Sequence, residues 1–159
     1  MRRLFLCSVV ALIAAAGGAA IALAADADPV VGTWQLNAAK STFSSGPVIK
    51  DQTRTYSQSG DNISLVMKTV GPDGKEVTTH TTYQVNGKDF PVTGTADYDS
   101  LSGRRIDSHT TEFTLKKGGQ AVGTTSRTVS KDGKTLTTKM SITTAAGGKS
   151  DGVMVFDRK

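Results

Sequence analysis

The chain is nearly without cysteine, poor in aromatic residues and free of any convincing helical period after its first segment. Its only cysteine, Cys7, lies in an N-terminal apolar run, so the remainder of the chain has no disulfide and no thiol chemistry. The two histidines, His80 and His109, are not joined by other Cys, His or carboxylate residues at metal-ligand spacing. We expect no metal and no cofactor. Haem ligation by one histidine is the weaker alternative.

Charge and motifs exclude two further classes of function. The net charge is +5 over the whole chain; without Arg2 and Arg3 the basic residues fall from 19 to 17 against 14 acidic, which leaves +3. That balance is mild and shows no concentrated basic face with interleaved aromatics, so we expect no nucleic-acid partner. No G-x-S-x-G elbow and no nucleophile–base pairing is visible. We predict that the protein is not an enzyme and has no catalytic residues.

The first residues predict export. Arg2 and Arg3 precede an apolar, small-residue run over 4–23, and Ala22-Leu23-Ala24 has the A-x-A form of a cleavage site. This order predicts a signal peptide over 1–24 and a single mature domain over 25–159, in the periplasm or outside the cell. A retained membrane anchor is the alternative.

Short glycine-bearing turns separate segments rich in Thr, which occurs 22 times. Asp-Gly and Asn-Gly turns are strong hairpin signals, and Thr is β-branched and favours strands. Apolar residues alternate with polar ones, as at Ile63, Leu65 and Met67, which indicates sheets with one buried face. The predicted strands are 31–37, 50–58, 62–70, 76–85, 88–92, 101–106, 110–117, 120–130, 134–144 and 149–157.

This many short-linked strands predict an all-β fold, a single up-and-down antiparallel β-barrel of about eight to ten strands, because closure removes exposed edges. A Greek-key sandwich would need several long connections, and only 38–49 and 93–100 are long. A membrane-spanning barrel is the alternative on the same period. It would carry aromatic girdles, whereas this chain has one Trp, three Tyr and five Phe, with Lys and Glu on the polar faces.

Both ends of the predicted barrel resemble known proteins. Gly32-Thr33-Trp34-Gln35-Leu36 is similar to the opening of the calycin barrels, the lipocalins and fatty-acid-binding proteins, and the segment from Gly152 to Arg158 resembles the closing strand of the latter. The whole stretch 32–157 resembles secreted bacterial lipocalin-like proteins of unassigned function. The resemblance implies a calycin-like barrel with 38–49 as a plain loop over its mouth.

The resemblance also carries expectations for single residues. It implies that Trp34, with Gly32, plugs one end of the barrel and that Arg158 stacks on the indole. Fatty-acid-binding proteins hold a ligand carboxylate with an Arg-x-Tyr pair on the last strand, whereas Met154 and Phe156 occupy those positions here.

A ligand site is predicted on the inward faces of the strands, because a barrel of this strand number can hold one small ligand. Parity is ambiguous on the strands that carry Arg54 and Arg127, so these two are either inward or solvated. The predicted ligand-binding residues are Arg127, Tyr83, Phe113, Leu115, Met67, Leu65, Met140, Tyr56 and Arg54.

The sequence therefore predicts a secreted or periplasmic monomeric barrel that binds one small apolar or amphipathic molecule in its interior. A structural or envelope-associated barrel with a filled core and no ligand is the first alternative. A small barrel enzyme is the second.

The signal peptide yields a direct test. When the full chain is expressed in a secreting host, we expect the exported protein to begin at Ala25, because cleavage follows small residues at the A-x-A site. Intact-mass measurement of the exported fraction checks this. A mass that includes Met1 would instead identify a retained anchor.

Overall fold

A computed structural model describes residues 27–159, so the predicted signal peptide lies outside the described residues. The strands are β1 Gly32–Leu36, β2 Thr42–Ser45, β3 Asp51–Ser59, β4 Asn62–Val70, β5 Glu76–Tyr83, β6 Asn86–Thr93, β7 Ser100–Arg105, β8 Thr110–Lys117, β9 Gln120–Val129, β10 Thr135–Thr143 and β11 Lys149–Arg158. A 3₁₀ turn spans Ala38–Lys40. Within this range, no helix has the length and apolar character needed to cross a membrane.

The sheet closes on itself as an antiparallel barrel. Strands β3 to β11 pair in chain order, and β1 pairs with β3 on one side and with β11 on the other. This gives a closed ring of ten strands, with β2 as an addition beside β11. The predicted up-and-down calycin-like barrel is confirmed.

The segment 38–49 was expected to be a plain loop, and this expectation is wrong. Asn37 accepts a hydrogen bond at Oδ1 from the Lys40 N–H (3.1 Å) and so caps the 3₁₀ turn. The chain then forms β2, which pairs with β11 and places Phe43 opposite Gly152. A Cβ at Gly152 would lie 3.3 Å from the Phe43 ring, so the glycine makes room for this packing.

A second difference from the predicted fold lies at Asn86-Gly87-Lys88, where the Asn-Gly pair predicts the turn between the strands 76–85 and 88–92. These residues belong to β6, and the β5–β6 turn precedes them at 84–85. Gly87 has φ +78° and the register with β7 shifts between Asn86 and Asp89. Asn-Gly here forms a bulge rather than a turn, because both need a residue at positive φ.

A bulge also explains the ambiguous parity of β9. The β8–β9 register shifts between Leu115 and Lys116, so Val122 has no partner in the ladder. The extra residue reverses the alternation, which lets Val122 and Arg127 both face inward although their parities differ.

The end of the barrel at which β1 begins is sealed by Trp34. The indole is fully buried and donates from Nε1 to the Val30 carbonyl oxygen (2.7 Å). The Arg158 guanidinium lies 4.2 Å from the ring centroid and donates to the carbonyl oxygens of Val31 (2.7 Å) and Pro29 (2.7 Å). These contacts tie the N-terminal segment to the last strand across the closed end.

Gly32 is required by this seal. Its φ is +133°, and a Cβ would collide with the Arg158 guanidinium. We expect Gly32→Ala to lower the free energy of unfolding by about 2–3 kcal/mol, because backbone strain and a displaced cation add. Urea unfolding measures this.

Gly60 supplies the matched control. It also has positive φ (+56°), but nothing lies within 4 Å of an added Cβ. Gly60→Ala carries only the milder strain of the left-handed region and no collision, so an equal loss in both variants would contradict the special role given to Gly32.

Candidate functional site

The barrel encloses a cavity of about 840 Å³ that opens at the end opposite Trp34. Its rim comes from 47–49, the turn 71–72, the loop 94–98 and the start of β11. All nine predicted ligand-binding residues line it: Arg54, Tyr56, Leu65, Met67, Tyr83, Phe113, Leu115, Arg127 and Met140. Their contact with a ligand stays a prediction.

Arg127 is 4 % exposed and lies deep in the cavity. Its Nη1 donates to the Tyr83 hydroxyl (2.5 Å), and its Nη2 makes a long contact with Thr111 Oγ1 (3.5 Å). The guanidinium carbon lies 5.2 Å from the Tyr56 ring centroid and 5.1 Å from that of Phe113. Cation–π contacts of this kind contribute about 0.5–2 kcal/mol each, which offsets only part of the cost of burying the charge.

Arg54 is a second buried cation, 7 % exposed, on the inward face of β3. Its Nε donates to Gln52 Oε1 (2.8 Å) and its Nη1 to Thr138 Oγ1 (2.9 Å). Its Nη2 lies 3.9 Å from the Met154 sulfur, and its carbon is 4.4 Å from the Phe156 ring centroid. Every one of these partners is neutral.

The electrostatics of the cavity are those of a cationic site with neutral phenols. Burial raises the pKa of Tyr83 to about 12, although the nearby Arg127 charge opposes the rise. Burial alone would lower the pKa of Arg127, but the oxygens of Tyr83 and Tyr56 hold it above its ordinary value. The guanidinium is therefore charged and the Tyr83 phenol neutral at neutral pH.

The rest of the wall is mostly apolar. Its aliphatic and thioether side chains include Leu65, Met67, Val77, Leu101, Leu115, Met140 and Ile142. One polar atom is unsatisfied: Thr125 Oγ1 is the only buried side-chain oxygen or nitrogen without a partner among residues 27–159. Thr125 lines the cavity two residues from Arg127 on the same strand.

The loop 94–99 covers part of the mouth. Asp97 Oδ1 accepts from the Ala145 N–H (2.9 Å), which joins this loop to the β10–β11 turn. Asp99 Oδ2 accepts from the Gly118 N–H (2.9 Å), and this bond lowers the Asp99 pKa. Tyr98 lines the cavity, where burial raises its pKa against the opposing charge of Arg54.

Sequence reasoning missed several lining residues. Gln52 shares the parity of Arg54 and Tyr56, so that signal was available once the face was known. Tyr98 lies in a loop without periodicity, and no local pattern indicates that it turns inward. Ile63 shares the parity of the lining residues Leu65 and Met67, but it borders a second, polar cleft at the closed end instead of the cavity.

The second cleft contains the most buried carboxylate of the described chain. The Asp28 side chain is 5 % exposed, pairs with Arg105 and accepts from the Val30 N–H (2.9 Å). Burial would raise the Asp28 pKa, but these hydrogen bonds and the Arg127 charge outweigh it, so the pKa lies below its ordinary 3.8. The Asp28 carboxylate therefore stabilises the closed end of the barrel.

No catalytic or metal constellation accompanies the cavity in residues 27–159. No group of three His, Cys, Asp or Glu residues with metal-binding geometry occurs there. His80 is exposed, and His109 lies in the turn after β7, where its Nδ1 is 2.8 Å from Ser108 Oγ. The expectations of no cofactor and no enzymatic activity stay predictions.

Comparison with known proteins reaches the fold only. No protein-family model and no curated protein sequence matches the chain. Among solved structures, EF1p2_mFAP2b bound to DFHBI has a TM-score of 0.51 at 10% identity, covering 82% of this chain and 94% of that one. The fold is a calycin-like barrel. Zebrafish ileal bile acid-binding protein with cholic acid (TM-score 0.47, 11% identity, 82% and 99% covered) and lobster apocrustacyanin A1 (0.46, 14%, 84% and 63%) are more distant.

The closing strand of this calycin-like barrel directs no cation into the cavity, but a cation from another strand reaches its inward face. Met154 and Phe156 occupy the Arg-x-Tyr positions of the resembling fatty-acid-binding proteins, and Arg54 contacts both from β3. A guanidinium is therefore present beside the last strand, although the last strand does not supply it.

The buried Asp28 makes the calycin-like barrel sensitive to acid. Because its folded-state pKa is lowered, its carboxylate stabilises the fold above its unfolded pKa of about 4, and this is lost as pH falls through the folded value. We expect Asp28→Asn to cost about 1–2 kcal/mol at pH 7, since the lost partners are charged or buried. Urea unfolding at pH 7, 5 and 3 should show the gap to wild type narrowing below pH 4.

Asp89→Asn is the matched control, because Asp89 pairs with Lys116 on the exposed surface. A gap for Asp28→Asn that stays constant down to pH 3 would contradict the assignment.

Proposed function

We propose that the barrel binds one small amphipathic molecule, with an acidic group at Arg54 and Arg127 and an apolar body extending towards the mouth. The observation that carries this is the pair of buried guanidiniums at the inner end of a mostly apolar cavity. A buried cation without a carboxylate partner is costly, and an anionic ligand would remove that cost.

The dimensions support the same proposal. A volume of about 840 Å³ lies in the range of small-molecule pockets, roughly 300–1,000 Å³, and apolar walls with few polar groups are typical of them. The similar barrel EF1p2_mFAP2b was solved bound to the small molecule DFHBI. That likeness is one of fold, so the argument for binding depends on the cavity itself.

The two alternatives fit the cavity less well. A filled structural core would have no space of this size, because protein interiors pack with few voids larger than a water molecule. An enzyme would need a nucleophile with a base, or an acid–base pair, within the cavity. The ionisable cavity groups of the described chain are arginines and phenols, with Asp97 at the rim and engaged by Ala145.

We place this binding activity in the periplasm or outside the cell and in a monomer. The A-x-A site at 22–24 supports export, and the mature chain carries no cysteine for a covalent dimer. Native mass spectrometry of protein purified gently from its secreted fraction tests whether the exported protein is a monomer and whether it holds a ligand. A mass above that of a single chain by a few hundred daltons supports the carrier; apo protein from every gentle preparation would favour the structural barrel.

A bulky side chain placed in the cavity should weaken the binding of a ligand there. Met67 lines the cavity, and the next residue towards the N-terminus, Val66, points to the outer face and is 37% exposed. We expect Met67→Trp to weaken binding of the anionic fluorophore anilinonaphthalene sulfonate about tenfold or more, because the indole occupies its volume.

Val66→Trp is the control, since it adds the same side chain outside the barrel. Fluorescence titration measures both, and thermal unfolding shows that both fold. Equal binding by the two variants would place the fluorophore outside the cavity and overturn the proposal.

A further inference from the structure

The two cavity guanidiniums are linked through neighbours that they share. Arg54 donates to Thr138, and Thr138 is the direct cross-strand partner of Arg127 in the β9–β10 ladder. Tyr56 lies two residues from Arg54 on the same face of β3, and Arg127 is over its ring. The two cations therefore belong to one subsite, although they come from strands on different sides of the barrel.

Neither charge is neutralised within the described chain. No carboxylate lies within ion-pair distance of either guanidinium in residues 27–159. The carboxylate whose charge acts on Arg127 is that of Asp28, which is already paired with Arg105. The subsite therefore holds two positive charges in a low-dielectric interior.

We infer that the ligand's head group carries two negative charges, as in a phosphate monoester, and bridges Arg54 and Arg127. This rests on the proposed function and makes its ligand class more specific. A head group with one negative charge would leave one guanidinium without a counter-charge. A dianion with several oxygens can accept hydrogen bonds from the N–H groups of both guanidiniums at once. The unpartnered hydroxyl of Thr125, next to Arg127 on the same face, is a further polar group in this region.

Decyl phosphate and decyl sulfate separate charge from shape. Both present tetrahedral oxygens on the same alkyl chain, but the sulfate is always a monoanion, while a phosphate monoester gains its second charge with a pKa of about 6. Isothermal titration calorimetry at pH 8 and pH 5.5 measures the affinity of each below its micelle concentration. Decanol is the uncharged reference.

The ionisable groups around the two guanidiniums decide whether the protein itself could mimic this result. The groups facing the two guanidiniums are the phenols of Tyr56, Tyr83 and Tyr98 and the paired carboxylate of Asp28. Histidine is the side chain whose ordinary pKa falls between these pH values, and neither histidine lines the cavity. Asp97, at the rim, is the remaining ionisable lining group.

We expect decyl phosphate to bind about tenfold more tightly than decyl sulfate at pH 8 and only about threefold more tightly at pH 5.5, because only the dianion pairs with both cations and roughly a quarter of the phosphate stays dianionic at the lower pH. In Arg54→Gln the preference at pH 8 should disappear while sulfate affinity changes less than about threefold. Arg104→Gln is the control, since Arg104 pairs with Glu112 on the exposed surface. Circular dichroism confirms folding of each variant.

Each result is decisive. Equal affinity of phosphate and sulfate at pH 8 would overturn the two-charge head and leave the proposed amphipathic anion in place. A preference that survives in Arg54→Gln would exclude Arg54 as the second cation and overturn the bridge. If none of the three decyl compounds binds, both the head group and the proposed function are wrong.

Discussion

Backbone pairing between β1 and β11 is the constraint on which the remaining structure depends. Trp34 lies opposite Arg158 in that ladder, and Leu36 lies opposite Phe156, so the same contact that closes the sheet also brings the cation over the indole. Without closure, β1 and β11 would both be edge strands and the inward faces would be open to water. The cavity exists because the ring is closed and one end is sealed.

The closed end and the cavity use buried charge in opposite ways. At the closed end, Asp28 is paired with Arg105 and bonded to the Val30 N–H, so its burial stabilises the fold. In the cavity, Arg54 and Arg127 contact hydroxyls, an amide, a thioether and aromatic rings, none of which carries a negative charge. The first arrangement is complete within the protein. In the second, no carboxylate of residues 27–159 lies within ion-pair distance of either guanidinium.

The architecture was predictable from the sequence to a large extent, because strand period, turn glycines and the G-x-W opening are local signals. The failures are informative. Asn86-Gly87 predicts a turn from sequence, because turns and bulges both use glycine at positive φ. Only the pairing of β6 with β7 shows that this one is a bulge. The strand Thr42–Ser45 was missed because its partner, β11, is distant in sequence. The inward face of Arg127 was ambiguous because the bulge at Val122 reverses the alternation.

The site itself was only partly predictable, and the reason is geometric. The sequence offers Arg54 and Arg127 as candidates for inward faces, but it cannot tell that Thr138 links them or that Asp28 is paired elsewhere. Those facts depend on the register of β9 with β10 and on the path of the N-terminal segment. They also carry the proposal: two cations with their own carboxylates would form structural ion pairs, whereas two buried cations without carboxylate partners are the reason why we propose an anionic ligand.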